Sequence, residues 1–205
     1  MTKKEDEKIN GLLLKADSVL FGNPKEAILI TEEILKLDKR NINALNIKAR
    51  ALGNMLKYEE EIECYNQMLD IEPDNVYALT EKGFCYDRLL NFKEALKCFD
   101  KALKINPNYV HALVNKADTL SSLSEFNSFG ETDYTEAIAY YDRALAIDPN
   151  DHSALNNKGF KLKSLKRYKE AIECFNKILT IDPKNKTALN MKKEITQLLK
   201  NKKEE

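Results

Sequence analysis

The sequence VYALTEKGFCYDRLLNFKEALKCFDKALKINPN, residues 76–108, contains two amphipathic helices in succession. In the first helix an apolar stripe recurs at helical spacing: Leu79, Gly83, Tyr86 and Leu90. The second helix repeats the pattern with Phe92, Ala95, Leu96, Phe99, Ala102 and Leu103. Asn91 separates the helices, and Asn106-Pro107 ends the second because proline pushes its predecessor out of the α region. The stretch predicts a helical hairpin, whose two apolar stripes require neighbouring elements for burial.

The composition of the chain favours an all-α protein. Its 205 residues are 43% apolar and 32% charged, which is ordinary for one or two soluble domains. Six glycines and five prolines are few, and the pattern of apolar residues is helical rather than strand-like.

Charge and hydropathy restrict the partners that we expect. The chain has 33 basic and 33 acidic residues, so no overall positive field attracts a polyanion, and nucleic acid is disfavoured. No run of 18 apolar residues predicts a membrane span, and the N-terminal segment lacks the pattern of a secretory leader. We therefore expect a cytoplasmic protein with no membrane association.

The four cysteines do not form a metal-binding pattern. Cys64, Cys98 and Cys174 occupy the same place in separate copies of the second helix. Equivalent points on stacked helices lie about 8–10 Å apart, beyond the roughly 7 Å that a disulfide spans. We expect free, packed thiols in a reducing compartment.

Copies of the hairpin recur along the chain. The second helices end at Leu37-Asp38-Lys39, Ile71-Glu72-Pro73, Ile105-Asn106-Pro107, Ile147-Asp148-Pro149 and Ile181-Asp182-Pro183. Successive steps are 34, 34, 42 and 34 residues. Five repeats are therefore predicted, at about 9–41, 42–75, 76–109, 110–151 and 152–185.

This pattern resembles the tetratricopeptide repeat (TPR) family, whose period is about 34 residues with two helices per repeat. The family's small residues at the helix crossing match Ala49, Gly83, Ala117 and Gly159 on the first helix, and Ala95, Ala137 and Ala171 on the second. Its turn aromatic matches Tyr58, Phe92, Tyr134 and Tyr168, and its closing proline matches Pro73, Pro107, Pro149 and Pro183. The resemblance implies a single domain over 1–205, a right-handed α-solenoid of about five hairpins.

Three departures from the pattern stand out. The first copy has Pro24 and Thr31 at aromatic positions, although Gly22-Asn23-Pro24 reads as a helix end followed by a helix start. Glu61 replaces the small alanine of the second copy. The fourth copy carries an insertion at 125–133, EFNSFGETD, which predicts a surface loop. This insertion is either tolerated or a contact site built on Phe126 and Phe129.

The C-terminal segment predicts a capping helix over 186–200. Its apolar residues lie on one side: Ala188, Met191, Ile195, Leu198 and Leu199. Such a helix covers the open end of a stack and keeps it soluble. The last five residues are expected to fray.

The sequence offers no catalytic constellation. The only histidines, His111 and His152, have no cysteine at ligand spacing, so we expect no metal site. Phosphate-binding and hydrolase motifs are also absent. We expect no cofactor and no enzymatic activity, because a function must rest on a site.

In the TPR family the first helix of each hairpin lines a concave groove, and the resemblance implies the same surface here. The corresponding residues are Asn46, Arg50, Tyr77, Thr80, Phe84, Arg88, His111, Asn115, Asp118, Asn156, Asn157 and Phe160. The amides can hydrogen-bond to the backbone of an extended peptide, and the arginines can bind a carboxylate. The aromatic rings can form pockets for an apolar side chain. The alternative is that the rings pack against neighbouring repeats and the asparagines are merely solvated.

We therefore predict a non-enzymatic scaffold or adaptor that binds a protein or peptide partner in this groove. A subset of the family clamps the terminal carboxylate of chaperones between lysines and asparagines. No repeat here offers a lysine-then-asparagine pair, and Asp118 would repel a carboxylate. One alternative is a self-assembling homo-oligomer that uses the 125–133 segment or the stack ends. An enzyme that holds a small substrate in the groove is the third hypothesis.

Overall fold

The computed structural model describes residues 3–127 and 132–204, and these residues form eleven α-helices and no β-strand. The helices are α1 (Lys3–Val19), α2 (Pro24–Leu37), α3 (Ile42–Asn54), α4 (Tyr58–Ile71), α5 (Val76–Arg88), α6 (Phe92–Ile105), α7 (Val110–Asn127), α8 (Thr135–Ile147), α9 (His152–Ser164), α10 (Tyr168–Ile181) and α11 (Lys186–Glu204). The predicted all-α fold class is confirmed. One pair of helices corresponds to each predicted repeat, α1–α2 through α9–α10, although α1 begins at Lys3, before the predicted start of the first repeat at residue 9.

The first helices begin with a recurring side-chain cap. The side chains of Asn41, Asn75 and Asp151 accept a hydrogen bond from the backbone N–H three residues later, at 2.7–3.0 Å. Such a cap satisfies one of the four N–H groups that a helix start leaves unpaired. Asn23 caps α2 in the same way, with Pro24 as the first helical residue, so the predicted helix start is confirmed.

A left-handed residue closes the first helix of three repeats. Leu56, Leu90 and Lys166 have φ of 58–59°, which an L-residue adopts at a cost of about 1–2 kcal/mol. This conformation lets Asn91 donate its N–H to the Tyr86 carbonyl at 2.8 Å. The assignment of Leu90 to the apolar stripe of the first helix was wrong, because α5 ends at Arg88 and Leu90 is an exposed turn residue.

Small residues permit a close helix crossing. A Cβ on Gly83 would lie 2.6 Å from Cε1 of Phe99, and one on Gly159 would lie 2.8 Å from Cζ of Phe175. Both rings are fully buried. The predicted pairing of a small residue with a ring at the crossing is confirmed.

The helices group into two compact units, Met1–Asn106 and Pro107–Glu205, here called the N-terminal and C-terminal units. The N-terminal unit contains α1–α6, with cores around Ile34 and Tyr65. The C-terminal unit contains α7–α11, with a core around Phe175. Continuity of all five repeats in one domain stays a prediction.

The inserted segment of the fourth repeat is partly helical. Helix α7 has 18 residues, whereas α3, α5 and α9 have 13, and it runs through Asn127. The loop prediction was therefore wrong for 125–127, where neither glycine nor proline interrupts the helix. Glu125 accepts hydrogen bonds from the Tyr134 hydroxyl at 2.9 Å and the Lys161 ammonium at 2.7 Å. Phe129 lies outside the described residues.

The predicted capping helix is present as α11. Ala188 and Ile195 are fully buried and belong to the core of the C-terminal unit. The helix runs to Glu204, beyond the predicted end at Lys200, and the expected fraying of the last residues stays a prediction.

All four cysteines are free and buried, as the sequence predicts. Burial raises the pKa of the Cys64 thiol to about 11, which keeps it protonated and unreactive at neutral pH. Over residues 3–127 and 132–204, no helix is both long and apolar enough to cross a membrane.

Candidate functional site

Two neighbouring hollows lie among the first helices of the N-terminal unit. The first has a volume of about 270 Å³ and is lined by Leu13, Leu14, Asp17, Asn43, Asn46, Ile47 and Arg50. The second has a volume of about 360 Å³ and is lined by Phe21, Arg50, Gly53, Asn54, Tyr58, Glu61, Tyr65, Glu81 and Phe84. Arg50 lines both, so the two hollows meet at its side chain. We call them the α1–α3 hollow and the Glu61 hollow.

Two residues predicted for the groove line the α1–α3 hollow. Asn46 is half-buried, and its Oδ1 is shielded from solvent without a hydrogen-bond partner. Such an atom is uncommon, because buried amide oxygens are nearly always bonded. Arg50 lies 3.4 Å from Asp17 and 5.7 Å from the centre of the Phe21 ring. Its guanidinium therefore already has an acidic and an aromatic partner.

The predicted residues of α5 have different surroundings. Phe84 is 40% exposed and forms a wall of the Glu61 hollow. Tyr77 packs edge-on against Tyr65, with ring centres 6.4 Å apart. Exposed Arg88 is hydrogen-bonded to Tyr58. Thr80 is fully buried and donates its hydroxyl to the Val76 carbonyl at 2.8 Å, so its assignment to a surface was wrong.

Glu61 forms the floor of the Glu61 hollow. Its side chain is 6% exposed and accepts a hydrogen bond from the Tyr65 hydroxyl at 3.2 Å. Burial raises the pKa of Glu61, and neighbouring Glu81 adds to the increase, while the Cys85 thiol and Tyr65 oppose it. Gly53 provides the space, since a Cβ there would lie 2.8 Å from Oε2 of Glu61.

Two exposed apolar residues of the first repeat were missed by the sequence analysis. Leu14 is 76% exposed beside the α1–α3 hollow, and Phe21 is 78% exposed beside the Glu61 hollow. The first repeat lacks the aromatic pattern of the others, and the sequence analysis assigned no groove residue to it. An apolar residue on the polar side of α1, at Leu14, was the available signal.

In the C-terminal unit, the predicted polar residues bind one another. Asp118 accepts hydrogen bonds from the Tyr141 hydroxyl and from Nδ2 of Asn157, the latter at 2.8 Å. Asn157 in turn accepts from Nδ2 of Asn156 at 3.4 Å. Burial and the Asp118 carboxylate raise the pKa of Tyr141. This network holds α7, α8 and α9 together.

The other predicted residues of this unit differ in their exposure and in their contacts. Nδ2 of Asn115 is buried without an acceptor. His111 is exposed, and its ring lies edge-on to Tyr109 at 6.3 Å. Phe160 packs edge-on against Phe175 at 5.7 Å. Phe126 is 72% exposed, and the contact site predicted for it and Phe129 stays a prediction.

Among the described residues, neither hollow is lined by a histidine or a cysteine. Across the described parts of the chain, no three histidine, cysteine, aspartate or glutamate side chains cluster as metal ligands. His152 contacts Asn185, with 3.2 Å between Nε2 and Nδ2, which is a contact between repeat starts. The rings, the amides and the few charges of the hollows can bind side chains and backbone of another chain.

Helical hairpins in which a small residue faces a ring at the crossing, as at Gly83 and Gly159, define an all-α helical-repeat protein of the solenoid class. The sequence matches two models of the tetratricopeptide repeat, one at residues 76–109 and 152–185 and the other at 42–75 and 128–151. The chain belongs to the tetratricopeptide repeat family. Comparison with curated protein sequences gives no significant match.

Several solved structures are similar to this chain in fold. PilF of Pseudomonas aeruginosa has a TM-score of 0.78 at 16% identity, covering 98% of this chain and 88% of its own. MamA of Desulfovibrio magneticus RS-1 has a TM-score of 0.72 at 18% identity, covering 91% and 99%. YrrB, described as a TPR protein with an unusual peptide-binding site, has a TM-score of 0.63 at 21% identity, covering 93% and 94%.

Proposed function

We propose that this chain is a non-enzymatic adaptor that binds an extended segment of a partner protein on the first-helix face of its N-terminal unit. The observation that carries the proposal is the pair of hollows that meet at Arg50. Side chains of an extended segment alternate in direction, so neighbouring hollows can receive side chains two residues apart. Leu14 and Phe21 add exposed apolar surface beside them.

Membership of the TPR family and the likeness to YrrB support this reading, since YrrB is itself described as having a peptide-binding site. Asn46 supports it further, because a rotation of its amide would offer the unbonded Oδ1 to a backbone N–H. A single mobile peptide on such a surface typically binds at around micromolar strength.

A displayed library of random peptides, selected on the full chain, tests the proposal. Selected peptides should bind the Asn46→Ala/Phe84→Ala variant at least about tenfold more weakly, because it loses an amide and a ring of the hollows. The matched control is Gln67→Ala/Lys101→Ala, which changes two exposed residues of second helices. Equal affinity for the two variants, with unchanged helicity, would exclude the first-helix face as the binding surface.

A further inference from the structure

The Glu61 hollow has an acidic floor between aromatic walls. Glu61 and Glu81 supply the carboxylates, and the rings belong to Phe21, Tyr58, Tyr65 and Phe84. A positive group is attracted both by carboxylates and by ring faces. The volume of about 360 Å³ is sufficient for one long side chain.

The only cation that lines this hollow, among the described residues, is Arg50, and it is already neutralised. Its guanidinium pairs with Asp17 at 3.4 Å outside the hollow. Glu61, by contrast, is bonded to two neutral groups, the Tyr65 hydroxyl and the Cys85 thiol. Both groups donate to the carboxylate without cancelling its charge. The lining is therefore negative overall.

Glu61 stands where the repeat pattern has a small residue. The family pattern has alanine at this place in the second helix, as at Ala95, Ala137 and Ala171. Glu61 fits only because Gly53 leaves room opposite it. A buried acid without a cationic partner destabilises a fold, so its position at the floor of an open hollow indicates a role in binding.

We propose that the Glu61 hollow binds a lysine or arginine side chain of the partner segment, with Glu61 and Glu81 holding its charge and the rings enclosing its alkyl stem. This inference rests on the proposed function and specifies its anchor. It also differs from the sequence-based prediction, in which Arg50 binds a carboxylate of the partner. A basic side chain would give Glu61 a cationic partner in addition to the neutral Tyr65 and Cys85.

Three pools of fluorescein-labelled short peptides test the inference. The pools share randomised flanks and carry lysine, norleucine or glutamate at the centre, and fluorescence anisotropy measures their binding to the full chain. The lysine pool should bind at least about tenfold more tightly than the glutamate pool, and more tightly than the norleucine pool. Glu81→Gln and Glu61→Gln should each reduce this preference. Glu59→Gln, which removes an exposed acid of α4, should preserve it.

The outcomes separate this inference from the proposed function. If all pools bind equally and bind the Asn46→Ala/Phe84→Ala variant more weakly, the first-helix face is the binding surface and the basic anchor is excluded. If norleucine matches lysine, the hollow is an apolar pocket, and if glutamate binds best, Arg50 is the anchor. If no pool binds, the proposed function fails as well.

Discussion

Glu61 and Gly53 form a linked pair of departures from the repeat pattern. Other repeats have alanine at the place of Glu61, and the space for a carboxylate exists only because residue 53 has no side chain. Glycine within a helix is about 1 kcal/mol less favourable than alanine. The pair therefore reduces the stability of the fold in two ways, through the low helix propensity of glycine and through the burial of an acid. Such a loss of stability is expected of residues that serve binding and is not expected of residues that only support the fold.

A double-mutant cycle tests this coupling. In the wild type, Gly53→Ala should give no gain or a loss of stability, because the new Cβ would press on the buried carboxylate at 2.8 Å. In a Glu61→Ala background the same change should stabilise by about 1 kcal/mol. Urea unfolding followed by circular dichroism measures both differences. Equal effects in the two backgrounds would show that the pair is not coupled.

The helix pairs of the third and fifth repeats depend on a glycine at the crossing. Gly83 and Gly159 each face a fully buried ring from the second helix of the same repeat. In the first helix α1, Gly11 has nothing within 4 Å of its added Cβ. The same substitution is therefore expected to act in opposite directions at a crossing and on an open helix face.

Gly83→Ala should destabilise the chain by about 1–3 kcal/mol, because the Phe99 ring cannot move away in a packed core. Gly159→Ala should behave alike against Phe175. The control Gly11→Ala should stabilise by about 1 kcal/mol through helix propensity alone. Thermal unfolding distinguishes these signs, and a Gly83→Ala variant as stable as the wild type would show that the crossing can relax.

The two units differ in the hydrogen-bond partners of their polar side chains. In the N-terminal unit the hollows contain the unbonded Oδ1 of Asn46 and the buried carboxylate of Glu61, which is bonded to the neutral Tyr65 and Cys85. In the C-terminal unit Asp118, Asn157 and Asn156 are bonded to one another, whereas Nδ2 of Asn115 is buried without an acceptor. Closed networks stabilise a fold, whereas open polar groups are suited to recognition. The proposed binding face is assigned to the N-terminal unit because Asn46 and Glu61 line the two hollows there.

The same contrast predicts opposite pH dependence for two acids. The pKa of Glu61 is raised by burial, so its favourable contribution is present below about pH 4.5 and is lost as pH rises. Burial also raises the pKa of Glu125, but Lys161 and Tyr134 outweigh it, and the net pKa is lowered. Its contribution is therefore present above about pH 4.5 and is lost as pH falls.

Melting temperatures between about pH 4 and pH 8 check this prediction. Relative to the wild type, Glu61→Gln should become more stabilising as pH rises, and Glu125→Gln more destabilising. Glu59→Gln controls for the loss of one surface charge. Parallel curves for Glu61→Gln and Glu125→Gln would contradict the assigned environments.

The sequence predicted the helices well because their determinants are local or periodic. The 34-residue step, the helix start at Gly22-Asn23-Pro24 and the proline-terminated second helices can all be read without a structure. The insertion was less predictable, since 125–127 has polar residues that suit either a helix end or a loop. Helix α7 continues there, and Glu125 is held by Tyr134 and Lys161.

The site was only partly predictable. Asn46, Arg50 and Phe84 line the two hollows, but Thr80, on the same predicted stripe, is fully buried. Helical spacing identifies the face of a helix on which a residue lies. How deeply that residue is buried depends on which neighbouring side chains cover it. Leu14 and Phe21 were missed because no groove residue was assigned to the atypical first repeat.

The sequence by itself determined the repeat, the helix pairs, the small-residue crossings and the unpaired thiols, because each follows from periodicity or from a local steric rule. Only the tertiary structure decided which polar groups find partners. Asp17 reaches Arg50 across 33 residues and Asp118 reaches Asn157 across 39. Such pairings arise when helices from different repeats pack together, and no local pattern in the sequence indicates them.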